Sequence, residues 1–194
     1  MTKNPQNSRA FTIFCFVLLI FAPLACKWDG TDSGDSGNGQ SPKLRNNRSR
    51  TNRPTVAVIV RHAEKDVEPA NDPKLNVTGQ VRALHLAQTL EDKNIGAIYT
   101  TSYRRTKETA EPLATKLNMP PNIIDDAYGI ADSVLRDHEG QTVLIVAHTD
   151  TIPEIIHQLG GEIIAPIAEN EFDNMFIVTV PSDNSATLVA RTKY

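Results

Sequence analysis

Cysteine is nearly absent from this chain of 194 residues: there are two, Cys15 and Cys26, and both precede residue 27. The stretch beyond them therefore has no internal disulfide, no thiol nucleophile and no thiolate metal site. Positive charge is scarce there as well. Residues 1–53 hold 8 lysines and arginines against 3 acids, a net of +5, whereas residues 54–194 hold 12 against 20, a net of −8. Nucleic-acid backbones are gripped by basic patches, so an acidic domain is a poor candidate for a nucleic-acid partner. Any phosphate group bound here has to be met by a few concentrated cations. A spanning hydrophobic run is missing too, because the apolar stretch Phe11–Ala25 falls short of the roughly 18 or more residues that a transmembrane helix needs. No internal repeat is visible, and the length beyond the tail suits one domain with a real core.

What the N-terminus does contain is an export pattern. Lys3 and Arg9 precede the Phe11–Ala25 run, whose length suits the core of a secretory signal. It ends in Ala22-Pro23-Leu24-Ala25-Cys26, which resembles a bacterial lipoprotein signal, where small residues precede the cysteine that receives lipid; Pro23 departs from the usual aliphatic residue. Ordinary signal-peptide cleavage and an uncleaved anchor are the alternatives. Residues 27–53 are rich in Gly, Ser, Asn and Asp, first acidic (Asp29, Asp32, Asp35) and then basic (Lys43, Arg45, Arg48, Arg50, Arg53). Such a stretch cannot bury a core, and as a flexible coil it would span about 30 Å root-mean-square. The expected organisation is an export segment over 1–26, a disordered linker over 27–53 and a globular domain over 54–194, exported and membrane-anchored at a bacterial cell envelope.

Within the domain, Thr55–Val60 and Thr142–Ala147 are continuous apolar runs of strand length, as expected of central strands covered on both faces. Residues 97–100 read as a third strand, and 175–180 with 186–190 as a terminal hairpin. Helical spacing recurs between them: Val81, Leu84, Ala87 and Leu90 after a Thr78 cap; Ala110, Leu113, Ala114 and Leu117; and Ile152, Ile155, Ile156 and Leu159, with Pro153 in the first turn. Alternating strands and helices predict an α/β three-layer sandwich with a mostly parallel central sheet. Ligands in such sheets collect beyond the carboxyl ends of the strands.

Chemistry-bearing residues lie at those ends. Arg61-His62-Ala63-Glu64 follows the first strand and His148-Thr149-Asp150 follows the Thr142 strand. Residues 100–110, which include Arg104 and Arg105, follow the third. Two imidazoles and two guanidinium groups on one rim make an anion pocket with a candidate nucleophile inside it. A second class of reading takes His62, Glu64, His148 and Asp150 as ligands of a metal hydrolase, although arginines beside a bound cation oppose it. A third is a catalytically silent binding module on a lipoprotein arm.

These residues carry a resemblance to the histidine phosphatase superfamily, the phosphoglycerate-mutase-like group, in its first branch. That family's Arg-His-Gly-Glu appears as Arg61-His62-Ala63-Glu64. Its Leu-Thr-x-x-Gly-x-x-Gln-Ala is echoed by Leu75–Ala83, its Tyr-Ser-Ser-Pro-x-x-Arg-x-x-Gln-Thr-Ala by Tyr99–Ala110 with Arg105 in the arginine position, and its second histidine by His148. The resemblance implies that His62 attacks phosphorus, that Arg61, Arg105 and His148 bind the phosphoryl oxygens, and that neither a metal nor another cofactor is needed. The substrate would be a small phosphorylated compound or a phosphoprotein. Many members carry Glu-x-x-x-Gly as proton donor, and Asp125 stands at that spacing from Gly129, with Asp126 and Glu64 as competitors. Ala63 replaces the family's glycine and would be strained if that position needed positive φ. Arg104 is expected to face solvent, and Glu169, Glu171 and Asp173 to play a structural part, holding an arginine. The segment between Arg105 and His148 is short for a closing lid, which favours hydrolysis over mutase chemistry.

The N-terminal reading has its own test. The expressed chain should partition with membranes and Cys26→Ser should abolish lipid attachment; a mature chain that starts elsewhere, soluble and unlipidated, would refute it.

Overall fold

The computed structural model describes residues 52–183 and 185–194, so the export segment, Cys26 and the linker lie outside the described residues. Six strands form one mixed sheet in the order β3-β2-β4-β1-β5-β6: β1 (Thr55–Arg61), β2 (Ile95–Thr100), β3 (Asn122–Ile123), β4 (Thr142–Ala147), β5 (Asn174–Val180) and β6 (Leu188–Lys193). The first four run parallel, and β5 and β6 add an antiparallel edge. Four helices flank the sheet: α1 (Val77–Leu90), α2 (Arg104–Leu117), α3 (Ala127–Asp137) and α4 (Thr151–Gln158). No helix among the described residues is long and apolar enough to cross a membrane.

Strand alternation builds both layers of core. In β1, Ala57 and Ile59 face one side and Val58 and Val60 the other; in β4, Val143, Ile145 and Ala147 oppose Leu144 and Val146. One side packs on Ile130, Ala131 and Val134 of α3 and Ile152, Ile155 and Ile156 of α4. The other packs on Leu86, Ala87 and Leu90 of α1 and Ala110 and Leu113 of α2. Covering on both faces is why β1 and β4 are unbroken apolar runs.

Three local expectations are corrected. The first helix is capped by Asn76 rather than Thr78: its side-chain oxygen accepts from the Gly79 N–H at 2.9 Å. Its buried stripe is Gly79, Ala83, Leu86, Ala87 and Leu90, while Val81 and Leu84 are exposed, because the sheet-facing stripe lies to one side of them. The final strand is shifted C-terminally to Leu188–Lys193. Two elements escaped the sequence reading altogether: the short strand β3, and α3, whose apolar spacing Ala127, Ile130, Ala131 and Val134 follows the Asp126 cap.

Gly79 is required by close approach. A Cβ there would sit 2.1 Å from the backbone oxygen of Glu64, immediately after the site segment, whereas one on Gly96 would meet only the end of the Gln141 side chain. Gly79→Ala should therefore cost about 1–3 kcal/mol through forced displacement of α1 and lower Tm clearly more than Gly96→Ala. Equal melting temperatures for the two variants would refute this account.

Candidate active site

The parallel pairing of β1 and β4 aligns Arg61 with Ala147 and continues as a hydrogen bond from the His62 N–H to the Ala147 carbonyl at 2.9 Å. The next residue after each strand is thus a histidine beside a histidine, with ring centroids 5.4 Å apart. Arg105, in the first turn of α2 directly beyond β2, reaches the same place: its Nη2 lies 3.5 Å from His148 Nδ1. Together with Arg61, these side chains line a cleft of about 450 Å³ at the carboxyl ends of the central strands. A larger groove of about 740 Å³ along α2, past Lys107, Glu111 and Met119, has no imidazole or guanidinium in its walls.

His62 is 4% exposed. Its Nδ1 lies 2.8 Å from the Ala63 carbonyl. A carbonyl can only accept, so Nδ1 carries the proton and Nε2 keeps its lone pair. Burial drives the His62 pKa down to about 3, opposed by the Ala63 hydrogen bond and reinforced by the charges of His148, Arg61 and Arg105. His148 falls to about 4, first through burial and then through Arg105. A guanidinium can only donate, so His148 Nδ1 accepts from Arg105 and its Nε2 faces Thr101 Oγ1 at 3.0 Å as donor. Thr101, 1% exposed and within 2.9 Å of Thr106 Oγ1, is a site residue that the sequence alone did not single out.

Arg61 is held more firmly than the sequence suggested. Its Nη1 donates to the Glu169 carbonyl at 2.8 Å and its Nη2 to the Glu169 carboxylate at 2.9 Å, while Phe172 stacks 4.2 Å from the guanidinium carbon. The Nε atoms of Arg61 and Arg105 are buried with no protein partner among the described residues. Glu169 therefore holds an arginine as expected, and Glu171 and Asp173 pair with Arg191 and Lys193. Tyr103 packs edge-on against His148 at 5.3 Å and under Arg105 at 4.1 Å.

Several candidates are not brought in. Glu64 turns away from the cleft into a two-pronged contact with Arg82 at 2.6 and 2.9 Å. Burial works to raise its pKa, but the hydrogen bonds and charge of Arg82 leave it lowered. Asp126 caps α3 through the Gly129 N–H, so the glycine of the presumed acid motif belongs to a helix start. Asp125 does line the cleft, but it is exposed and accepts from the Ser102 N–H at 2.6 Å, which holds its carboxyl below the usual range rather than above it. The metal reading loses its carboxylates: Glu64 is bound to Arg82 and Asp150 caps Thr151 at 2.9 Å. Among the described residues no group of three or more His, Cys, Asp or Glu is arranged to hold a metal ion. Ala63 has no positive φ and is fully buried, so the missing glycine brings no backbone strain. Arg104 is paired with Glu108 at the surface, and His85, His138 and His157 lie away from the cleft.

Residues 57–130 match the Histidine phosphatase superfamily (branch 1). No curated protein sequence matches the chain. Among solved structures, Bacillus stearothermophilus YhfR is 20% identical, covering 70% of this chain and 95% of its own, with a TM-score of 0.57. The protein histidine phosphatase SixA complexed with tungstate is 17% identical over 71% and 96%, TM-score 0.57. A mycobacterial glucosyl-3-phosphoglycerate phosphatase is 14% identical over 71% and 97%, TM-score 0.54. At these identities the likeness speaks for the fold, which is that of the phosphoglycerate-mutase-like proteins.

The lowered imidazole pKa values have a definite consequence for stability. An unfolded histidine titrates near 6.5, so as pH falls from there toward the folded values of about 4 and about 3 the unfolded chain takes up protons that the folded one refuses. Stability is then complete above pH 6.5 and lost progressively through that window. His62→Asn should flatten this part of the stability profile, measured by denaturant unfolding from pH 7 to pH 4; an unchanged slope would contradict the burial of a neutral imidazole.

Proposed function

We propose that this chain, carrying a histidine phosphatase superfamily (branch 1) domain, is a metal-independent phosphatase acting through a covalent phosphohistidine on His62. The observation that carries the reading is the His62 tautomer: Nδ1 tied to the Ala63 carbonyl, Nε2 left with its lone pair beside two arginines. In the first half-reaction Nε2 attacks phosphorus, the bond to the leaving group breaks, and that group departs with the electron pair. In the second, water attacks phosphorus, the P–N bond breaks, inorganic phosphate leaves and Nε2 regains its lone pair. This splits one displacement into two easier ones. Arg105 and Arg61 stabilise the charge on the phosphoryl oxygens, where positioning and electrostatics carry most of the catalysis, and His148, engaged by Thr101 and Arg105, orients Arg105 beside them. Hydrolysis is favoured over mutase chemistry because the cleft is open to water, with Glu169 87% exposed at its mouth.

The proton donor is the weakest part of the family pattern here. Of the three carboxylates considered, only Asp125 lines the cleft, and its lowered pKa leaves it ionised at neutral pH. Leaving groups that depart without a proton, such as aryl phosphates, or that take one from solvent, as phosphohistidine does, suit such a site best. In the full proposal, residues 1–26 export and tether the chain, and residues 27–53 space the catalytic domain from the membrane.

Brief incubation with a labelled aryl phosphate should leave an acid-labile, alkali-stable label on the wild-type protein and none on His62→Ala, and turnover should survive EDTA. Labelling of both proteins would exclude His62 as nucleophile. p-Nitrophenyl phosphate should be hydrolysed far faster than an alkyl phosphate, and Asp125→Asn should change that contrast little. Loss of alkyl turnover alone, by about 100-fold or more, would reinstate Asp125 as general acid.

A further inference from the structure

The charges in the cleft are layered. At its base are the cations Arg61 and Arg105 with the neutral His62 and His148. Around its mouth stand three lining carboxylates, Asp125, Asp150 and Glu169, against one lining ammonium, Lys65, with Lys107 outside the lining but acting on Asp125. Each carboxylate is fixed by a hydrogen bond: Asp125 by the Ser102 N–H at 2.6 Å, Asp150 by the Thr151 N–H at 2.9 Å and Glu169 by Arg61 at 2.9 Å. Two of them act on the site itself, since the charges of Asp150 and Asp125 both work to raise the pKa of His148 against the larger lowering by burial.

A phosphoryl dianion at the base is balanced by the two arginines. What remains facing the other half of the substrate is a rim with a net of two negative charges, on a domain whose net charge is −8. Lining carboxylates of one sign focus a field into a cleft and repel groups of like charge. From this layering we infer that the site selects phosphorylated compounds whose departing half carries a cationic group, an ammonium above all, and discriminates against those with a second phosphate or a carboxylate near the ester. Asp125, Asp150 and Glu169 are the residues that set this preference. The inference rests on the phosphatase reading for its phosphate site, but it concerns the part of the substrate that the base of the cleft does not touch.

The test separates binding from chemistry. Calorimetric titration of the purified full chain uses three phosphonates that cannot be hydrolysed: 2-aminoethylphosphonate, propylphosphonate and 3-phosphonopropionate. Hydrolysis of p-nitrophenyl phosphate is followed in parallel. The ammonium compound should bind tightest and the carboxylate weakest, with steps of about three- to ten-fold at low ionic strength, as expected for unit charges a few ångströms apart that both remain in contact with water. The spread should shrink as salt is raised. Asp125→Asn, Asp150→Asn and Glu169→Gln keep their hydrogen-bond acceptors and remove only charge, so each should narrow the spread. Equal affinities, or a spread that survives both salt and all three substitutions while p-nitrophenyl phosphate is still cleaved, would overturn this inference and leave the phosphatase reading standing. No cleavage and no phosphonate binding would overturn both.

Discussion

The register of β1 against β4 is the constraint on which the site depends. Pairing Arg61 with Ala147 and hydrogen-bonding the His62 N–H to the Ala147 carbonyl brings His62 and His148 out side by side where the ladder ends. A slip of one residue would turn every side chain on a strand to the opposite face. It would exchange Val58 and Val60 for Ala57 and Ile59 against α1 and α2, which the two-sided core does not permit. The packing that stabilises the fold and the placement of the chemistry are therefore one constraint.

Burial then sets the protonation of what the register has placed. Desolvation, more than any charge, keeps both imidazoles neutral, and hydrogen bonds to the Ala63 carbonyl and Thr101 hold them in place. The cost of burying Arg61 is met by the turn before β5, through the Glu169 carbonyl, the Glu169 carboxylate and the Phe172 ring. This clamp occupies both Nη atoms and fixes the Arg61 side chain, while its Nε is buried without a partner among the described residues. Arg105 is placed differently, by the start of α2, with Tyr103 beneath it.

Charge is distributed in keeping with that arrangement. Arg61 and Arg105 lie at the base of the cleft and Asp125, Asp150 and Glu169 at its rim, so the two levels of the cleft present opposite fields.

The elements with strong local signals were legible in the sequence: the two apolar strands, the Ile152–Leu159 stripe, the edge hairpin and the emergence of His62, His148 and Arg105 at strand ends. These follow from periodicity and strand length, which the chain carries locally. The stripe expected for α1, Val81, Leu84, Ala87 and Leu90, is half right: Ala87 and Leu90 are buried while Val81 and Leu84 are exposed, because neighbouring rows on a helix differ by a rotation that only the sheet resolves. The carboxylates fared worst. Spacing from Gly129 favours Asp125 but leaves Asp126 and Glu64 as competitors, and only the folded chain assigns Glu64 to Arg82, Asp126 to a helix cap and Asp125 to the cleft with a lowered pKa. The sequence by itself determined which residue types arrive at the end of each strand. Tertiary structure decided which of them face one another, because a carboxylate's role depends on the donor it meets, and that donor lies 18 residues away for Glu64 and 23 for Asp125.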